Sequence, residues 1–384
     1  MSRAFDRDNF TAAGHMLENG SMEPYTLTVS EGRMSLERGW PDDPDLCGTF
    51  IWDVVNAHTH CADYGLKVPK GMTLEDLVAP PDGLKHRYLR ECGEEGLRRN
   101  MADFDRASAS YGAASFIDFR EGGVAGCRLL RQESQDAIIM GRPISKEFDP
   151  EEVAELLEVA DGIGLPSISD MPPDYVEQVA DAAREARRPF AIHVSERIRE
   201  DIDTVLSLDP AFIVHMCEAT DDDLAKCAEA EVPIVVCPTS NSYFGKEAPV
   251  SRMIAQGVDV AVGTDNGMLC EPDIIEETMR IASLLEKQGC DTERVLPILL
   301  KNSSKLLYRT SRMTCWIPER YMTVIPRAEG TDGKRCSTVA PFRIKKNRGS
   351  ELNGVQQDSG TNRRKRIYQA RHQAGSRTGQ VGRG

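Results

Sequence analysis

Eight apolar, β-branched runs separated by amphipathic stretches restrict this chain more than any other feature. The runs are IWDVVNAHTH (51–60), ASFIDFR (114–120), DAIIMGRPI (136–144), DGIGLPSI (161–168), PFAIHVSE (189–196), AFIVHM (211–216), PIVVCP (233–238) and VDVAVGTD (258–265). Between them fall helical patterns such as DPEEVAELLEVA (149–160), PPDYVEQVADAAREARR (172–188) and TDDDLAKCAEAE (220–231), the last with Thr220 or Asp221 as N-cap. Repeated strand–helix units bury a parallel sheet beneath helices, so the pattern predicts an α/β fold, a (β/α)8 TIM-like barrel over residues 51–308. The fourth run is the weakest, because glycine and proline dilute it. Ahead of the barrel, residues 1–50 carry short alternating segments such as YTLTVSEGRMSLERG (25–39) and predict a small β unit.

Composition removes several function classes. No run of eighteen apolar residues exists, which argues against a spanning helix and a membrane partner. The N-terminus, MSRAFDRDNF, lacks the apolar core of a signal peptide, so the expectation is a cytoplasmic protein. Eleven cysteines occur with no CxxC pair, which predicts reduced thiols. A net charge of −14 argues against nucleic acid as the main partner. The charge is uneven, however: beyond about residue 330 the chain turns basic and poor in apolar residues, which predicts disorder.

The chemistry concentrates at the ends of the apolar runs. His58 and His60, in VVNAHTHCAD (54–63), end the first; His193 ends the fifth, His215 the sixth and Asp265 the eighth. Residues i and i+2 of a strand share a face, so His58 and His60 can point together toward the barrel axis. Each residue alone has an ordinary structural explanation. Unrelated structural histidines have no reason to gather at strand ends, and the conjunction points to a metal site. Imidazole nitrogen and carboxylate oxygen suit a borderline divalent ion such as zinc. Glu196, three residues after His193, is placed for general acid/base work beside that ion. Arg120 and Glu121 follow the second run on the same rim and could bind substrate or form a structural ion pair. Ser240 and Asn241, after the seventh run, could contact substrate or hold their loop.

The motifs NAHTH, HVSE, VHMCEAT, VVCPTSN and GTDNG together resemble the amidohydrolase superfamily, in its cytosine-deaminase-like and chlorohydrolase-like branch. The resemblance spans about residues 15–308. It implies a metal-bearing barrel beside a small β-sandwich built from flanking segments, residues 1–50 among them. It implies His58, His60, His193 and Asp265 as metal ligands, Glu196 as proton shuttle, and His215 as the group that orients the attacking water. Asp265 would also accept a proton, and Ser240 and Asn241 match a motif near the substrate. ADGIGLPSISD (160–170) lacks the bridging lysine of two-metal relatives, which argues for one ion, with zinc ahead of iron or manganese. The implied activity is hydrolysis of a non-peptide carbon–nitrogen bond, most specifically deamination of a small nitrogen heterocycle, with homo-oligomerisation left open.

The pattern breaks after the last barrel helix. YRTSRMTCWIPERYMTVIPRAEG (308–330) replaces the expected return to the sandwich, and only TVIPR (323–327) resembles its strand. Residues 309–333 therefore read as a degraded return segment, and 334–384 as a basic, disordered tail whose arginine-rich, low-apolar composition resembles out-of-frame translation, a genuine basic tail being the alternative. Three readings stand: the deaminase, a cyclic amide or halide hydrolase on the same site, and a non-catalytic ligand-binding protein with a damaged C-terminus.

Overall fold

A computed structural model describes residues 6, 8–31, 33–78, 82–287, 299–306, 321–327, 341–346 and 351–352. Its centre is a curled parallel sheet. Strands β5 (Val55–His60), β6 (Ser115–Arg120), β7 (Ala137–Gly141), β8 (Gly162–Leu165), β9 (Phe190–Val194), β10 (Phe212–His215), β11 (Ile234–Val236) and β12 (Val260–Val262) pair in chain order. After Gly263 and Thr264 the last strand resumes as β13 (Asp265–Asn266), which pairs with β5 and brings the sheet's two ends together. A Cβ on Gly263 would lie 2.7 Å from the His58 backbone nitrogen, so only glycine permits that approach. Asn56 locks the seam: its amide donates to Thr264 Oγ1 at 2.8 Å, and its Oδ1 accepts from Thr264 N at 3.0 Å.

Alternation along the strands sorts two cores. Val55, Ala57, Ile117, Phe119, Ile138, Met140, Ala191, Phe212, Val214, Val235 and Ala261 form one cluster inside the sheet. Their neighbours Phe116, Ile139, Ile163, Ile192, Ile213, Ile234 and Val260 join the larger cluster beneath the surrounding helices. Those helices have local causes. Asp149 caps Pro150–Val159 by accepting from Glu151 N and Glu152 N, with proline in the first turn. Of the two N-cap candidates for Asp221–Glu229, Thr220 serves, in a capping box with Asp223.

The N-terminal β unit is a second sheet. Strands β1 (Phe10–Glu18), β2 (Ser21–Ser30), β3 (Arg33–Arg38) and β4 (Leu46–Trp52) are joined there by β14 (Tyr321–Arg327), β15 (Phe342–Lys345) and β16 (Glu351–Leu352), in the order β15-β14-β4-β1-β2-β3-β16. Its core includes Tyr25, Leu27, Phe50, Met322, Val324 and Phe342. Two expectations need correction here. The first predicted barrel strand, 51–60, is two strands in different sheets, parted at Asp53. That residue takes a φ of 52° and exchanges hydrogen bonds with Tyr321 through its backbone N–H (2.8 Å) and its carboxylate (3.0 Å). Cys47 is disulfide-bonded, which corrects the expectation of reduced thiols, whereas seven other cysteines among the described residues are free. TVIPR lies in β14, antiparallel to β4. β15 and β16 fall inside the stretch predicted as a tail; most of 309–320 and 328–384 lies outside the described residues. No helix among the described residues is long and apolar enough to cross a membrane.

Candidate metal centre

The four strand ends that carry the motif histidines and Asp265 deliver them to one place, and two local irregularities aim them. Before residue 58, Val55 and Ala57 face the inner core, so simple alternation would turn His58 and His60 outward. A bulge between Asn56 and Thr59 inserts one extra residue and reverses the phase. On β10, Phe212 and Val214 face inward, so His215 is out of phase; its φ of 79° swings it into the site. Asp265 also holds a positive φ, 60°. Left-handed backbone at bulky residues is costly and gathers at functional sites.

The donor atoms converge. His58 Nε2 lies 3.2 Å from His193 Nε2 and 3.3 Å from Asp265 Oδ1, and His60 Nε2 lies 3.5 Å from the same oxygen. His58, His60 and His193 form one group with ligand atoms within 4.8 Å of one another, and His58, His215 and Asp265 form another. Two outer contacts fix which nitrogen points in. His193 Nδ1 donates to Leu165 O at 2.8 Å and His60 Nδ1 donates to Phe119 O at 3.1 Å, leaving each Nε2 lone pair facing the centre. Burial holds His58 at a pKa of about 4 and His193 well below its ordinary value, so both are neutral. One proton on His58 Nε2 can serve His193 and Asp265, but His60 Nε2, whose ring proton is on Nδ1, then faces the same carboxylate oxygen at 3.5 Å with none. A divalent cation satisfies them, and the donor set fits it.

Around this cluster the sequence candidates divide. Glu196 lines a cavity of about 310 Å³ together with His60, Glu121, His193, His215 and Asp265. Its carboxylate lies 3.7 Å from His215 Nε2, and burial pushes its pKa up to about 8. Ser240 donates to Asp265 Oδ2 at 2.5 Å, and Asn241 Nδ2 donates to His215 Nδ1 at 3.0 Å. Both are fully buried behind the first ring of side chains. Arg120 is placed by the structural alternative: 2% exposed, it pairs with Asp118 at 3.2 Å and with Glu121. Glu121 does reach the cavity, where its carboxylate lies 3.0 Å from His60 Nδ1. A wider groove of about 700 Å³ between the helices Pro150–Val159 and Pro173–Glu185 lies away from these strand ends.

Sequence reasoning missed Lys85. This buried ammonium lines the cavity and reaches Glu121 at 2.8 Å, Asn266 Oδ1 at 3.0 Å and Asp63 at 3.6 Å. Burial opposes its charge, but Glu121 and Asp63 outweigh burial and hold its pKa above the ordinary value. Glu200 was also missed. It accepts from Ser195 N at 2.8 Å and Ser169 N at 2.7 Å, shaping the loop that presents Glu196. Neither belongs to a motif; for Lys85 the only signal was a lysine in a helix near the strand-1 loop.

Comparison with known proteins agrees with this geometry. Residues 50–299 match the model of the amidohydrolase family. An uncharacterized protein of Methanocaldococcus jannaschii is 32% identical over 326 residues, covering 76% of this chain and 82% of its own. A 5-methylthioadenosine/S-adenosylhomocysteine deaminase of Moorella thermoacetica is 26% identical over 297 residues, 68% of each chain. Among solved structures, an adenosine deaminase from Xanthomonas campestris with bound zinc shares the fold at a TM-score of 0.62, with 17% identity over 82% of this chain and 84% of that one.

Proposed function

Because the chain belongs to the amidohydrolase family and is therefore a hydrolytic enzyme, we propose that it deaminates a small nitrogen heterocycle at a centre for one divalent ion. His58, His60, His193 and Asp265 would hold the ion, with zinc first among the candidates. When bound, such an ion supplies Lewis acidity and makes water acidic enough to be a nucleophile near neutral pH.

The chain's own groups supply the proton traffic. The observation that carries the reading is Glu196, whose carboxyl is kept protonated near neutrality by burial and lies beside His215 at the mouth of the cluster. A protonated acid there can protonate a ring nitrogen, which makes the adjacent C–NH2 carbon electrophilic; the amine can then leave with the proton Asp265 takes from the water, while Glu196 recovers the hydroxyl proton as the carbonyl forms. Donation from Asn241 to Nδ1 leaves the His215 proton on Nε2, the nitrogen nearer Glu196, where it can stabilise a developing oxyanion. Asp265, with Oδ2 held by Ser240, keeps Oδ1 toward the histidines and can take a proton from the attacking water.

The test is a screen of metal-loaded protein against purines, pyrimidines and pterins. An active substrate should yield stoichiometric ammonia and a carbonyl in place of the amine. Ring opening or halide release without ammonia would replace deamination by the cyclic amide or halide reading. Absence of any turnover in protein carrying its full metal complement would favour the non-catalytic one.

A further inference from the structure

We propose that Glu277, which lies outside the cavity, is a positioning residue that keeps Asp265 and His215 in register through the short helix Pro238–Tyr243. The inference rests on the metal-centre reading above.

Glu277 sits on the helix Ile274–Lys287 and is 2% exposed. Its carboxylate accepts from Thr239 N at 2.8 Å and from the Thr239 hydroxyl. Two charged groups lie close to it: Arg280, half exposed, with Nε 3.4 Å from Oε1, and the neighbouring carboxylate of Glu276. The helix held by Thr239 begins at Cys237 with no side-chain cap of its own and with Pro238 in its first turn. A helix start needs acceptors for its free N–H groups, and its dipole favours a carboxylate. Glu277 supplies that carboxylate from a different element.

The next two residues of the short helix are the ones that touch the centre. Ser240 holds Asp265 Oδ2 at 2.5 Å and Asn241 holds His215 Nδ1 at 3.0 Å. A local Ser or Asp at position 237 could have capped the helix alone. Capping it from Ile274–Lys287 ties the loop after β11 to the helix that follows Asp265. Any slip of Thr239 would therefore shift a ligand's carboxylate and the tautomer of His215 together.

The test uses full-length protein loaded with cobalt(II), whose visible absorption reports ligand geometry. In Glu277→Met both Thr239 donors lose their acceptor; glutamine would keep both contacts, because the Thr239 hydroxyl can turn to accept from its amide. Cobalt should remain bound, the visible bands should shift, and kcat should fall about tenfold with KM little changed, the scale of outer-contact losses at metal sites. Asp161→Asn is the control for stability alone, because Asp161 is a buried carboxylate that accepts from Ile139 N at 2.8 Å and pairs with Arg131 away from the centre. It should lower Tm without moving the bands. If Glu277→Met does not fold, Thr239→Val carries the same prediction, and Thr239→Ser should restore the wild-type spectrum. Wild-type bands and kcat in either folded variant, with only Tm lowered, overturn this proposal alone. A wild-type chain that takes up no cobalt overturns the metal-centre reading and this proposal with it.

Discussion

Asn241 Nδ2 meets Nδ1 of His215 at 3.0 Å, and this contact decides which imidazole nitrogen carries its proton toward the cavity. Replacing Asn241 with Asp exchanges a donor for an acceptor and moves the proton to Nδ1. The expected result is a fall in kcat of about tenfold or more with metal content unchanged. Nitrogen NMR of labelled histidine should show the change of tautomer. Wild-type kcat in Asn241→Asp would remove His215 from the proposed chemistry.

Glu196→Gln separates proton transfer from metal holding. Glutamine keeps the shape but cannot deliver the proton, so the rate should drop by about a hundredfold or more while the ion stays. Loss of metal together with activity would recast Glu196 as a ligand.

Lys85 neutralises Asp63, which is fully buried, and Glu121, which lines the cavity. Lys85→Met would leave Asp63 fully buried without its ammonium, while Glu121, 13% exposed, would keep only Arg120 as a cationic partner among the described residues. Stranding a buried charge costs about 3–5 kcal/mol, so urea unfolding should show a loss of that order. Adding Glu121→Gln should recover part of it. A loss below about 1 kcal/mol would mean the network is no more than a surface pair.

Much of this was legible in the sequence, and the rest fails for identifiable reasons. The eight runs placed every barrel strand, because burial on both faces leaves continuous apolar stretches. The i, i+2 rule correctly put His58 and His60 on one face. It could not show that a bulge turns that face inward, since a bulge has no composition of its own. His215 broke alternation through a backbone angle that sequence does not reveal. The run 51–60 concealed a change of sheet at Asp53, because both halves are equally apolar. In Arg120 the ion-pair alternative had a readable sign: Asp118, two residues earlier on the same strand face, sits inside an apolar run. Lys85 and Glu277 act across 36 and 38 residues on Glu121 and Thr239, and no local pattern marks such pairs.

Asp223 gives a pH signature unrelated to the centre. Burial pushes its carboxyl up, but Arg199 and the Thr220 capping bonds outweigh burial and lower its pKa from 3.8 to about 2. A carboxyl depressed in the folded state stabilises fully above its unfolded pKa and loses that stabilisation as pH falls through the folded one. The difference in stability between wild type and Asp223→Asn should therefore be constant above about pH 5 and shrink between about pH 4 and 2. Its size should be about 1 kcal/mol, that of a helix cap with a half-exposed ion pair. A difference that stays flat down to pH 2 would contradict the assignment.

Metal stoichiometry tests the central claim most directly. Elemental analysis of the purified, dialysed chain should find close to one transition-metal ion per molecule, and His58→Ala with His60→Ala should abolish it, because two of four proposed ligands are gone. Two ions per chain, or a double variant with its full metal content, would contradict the centre described here.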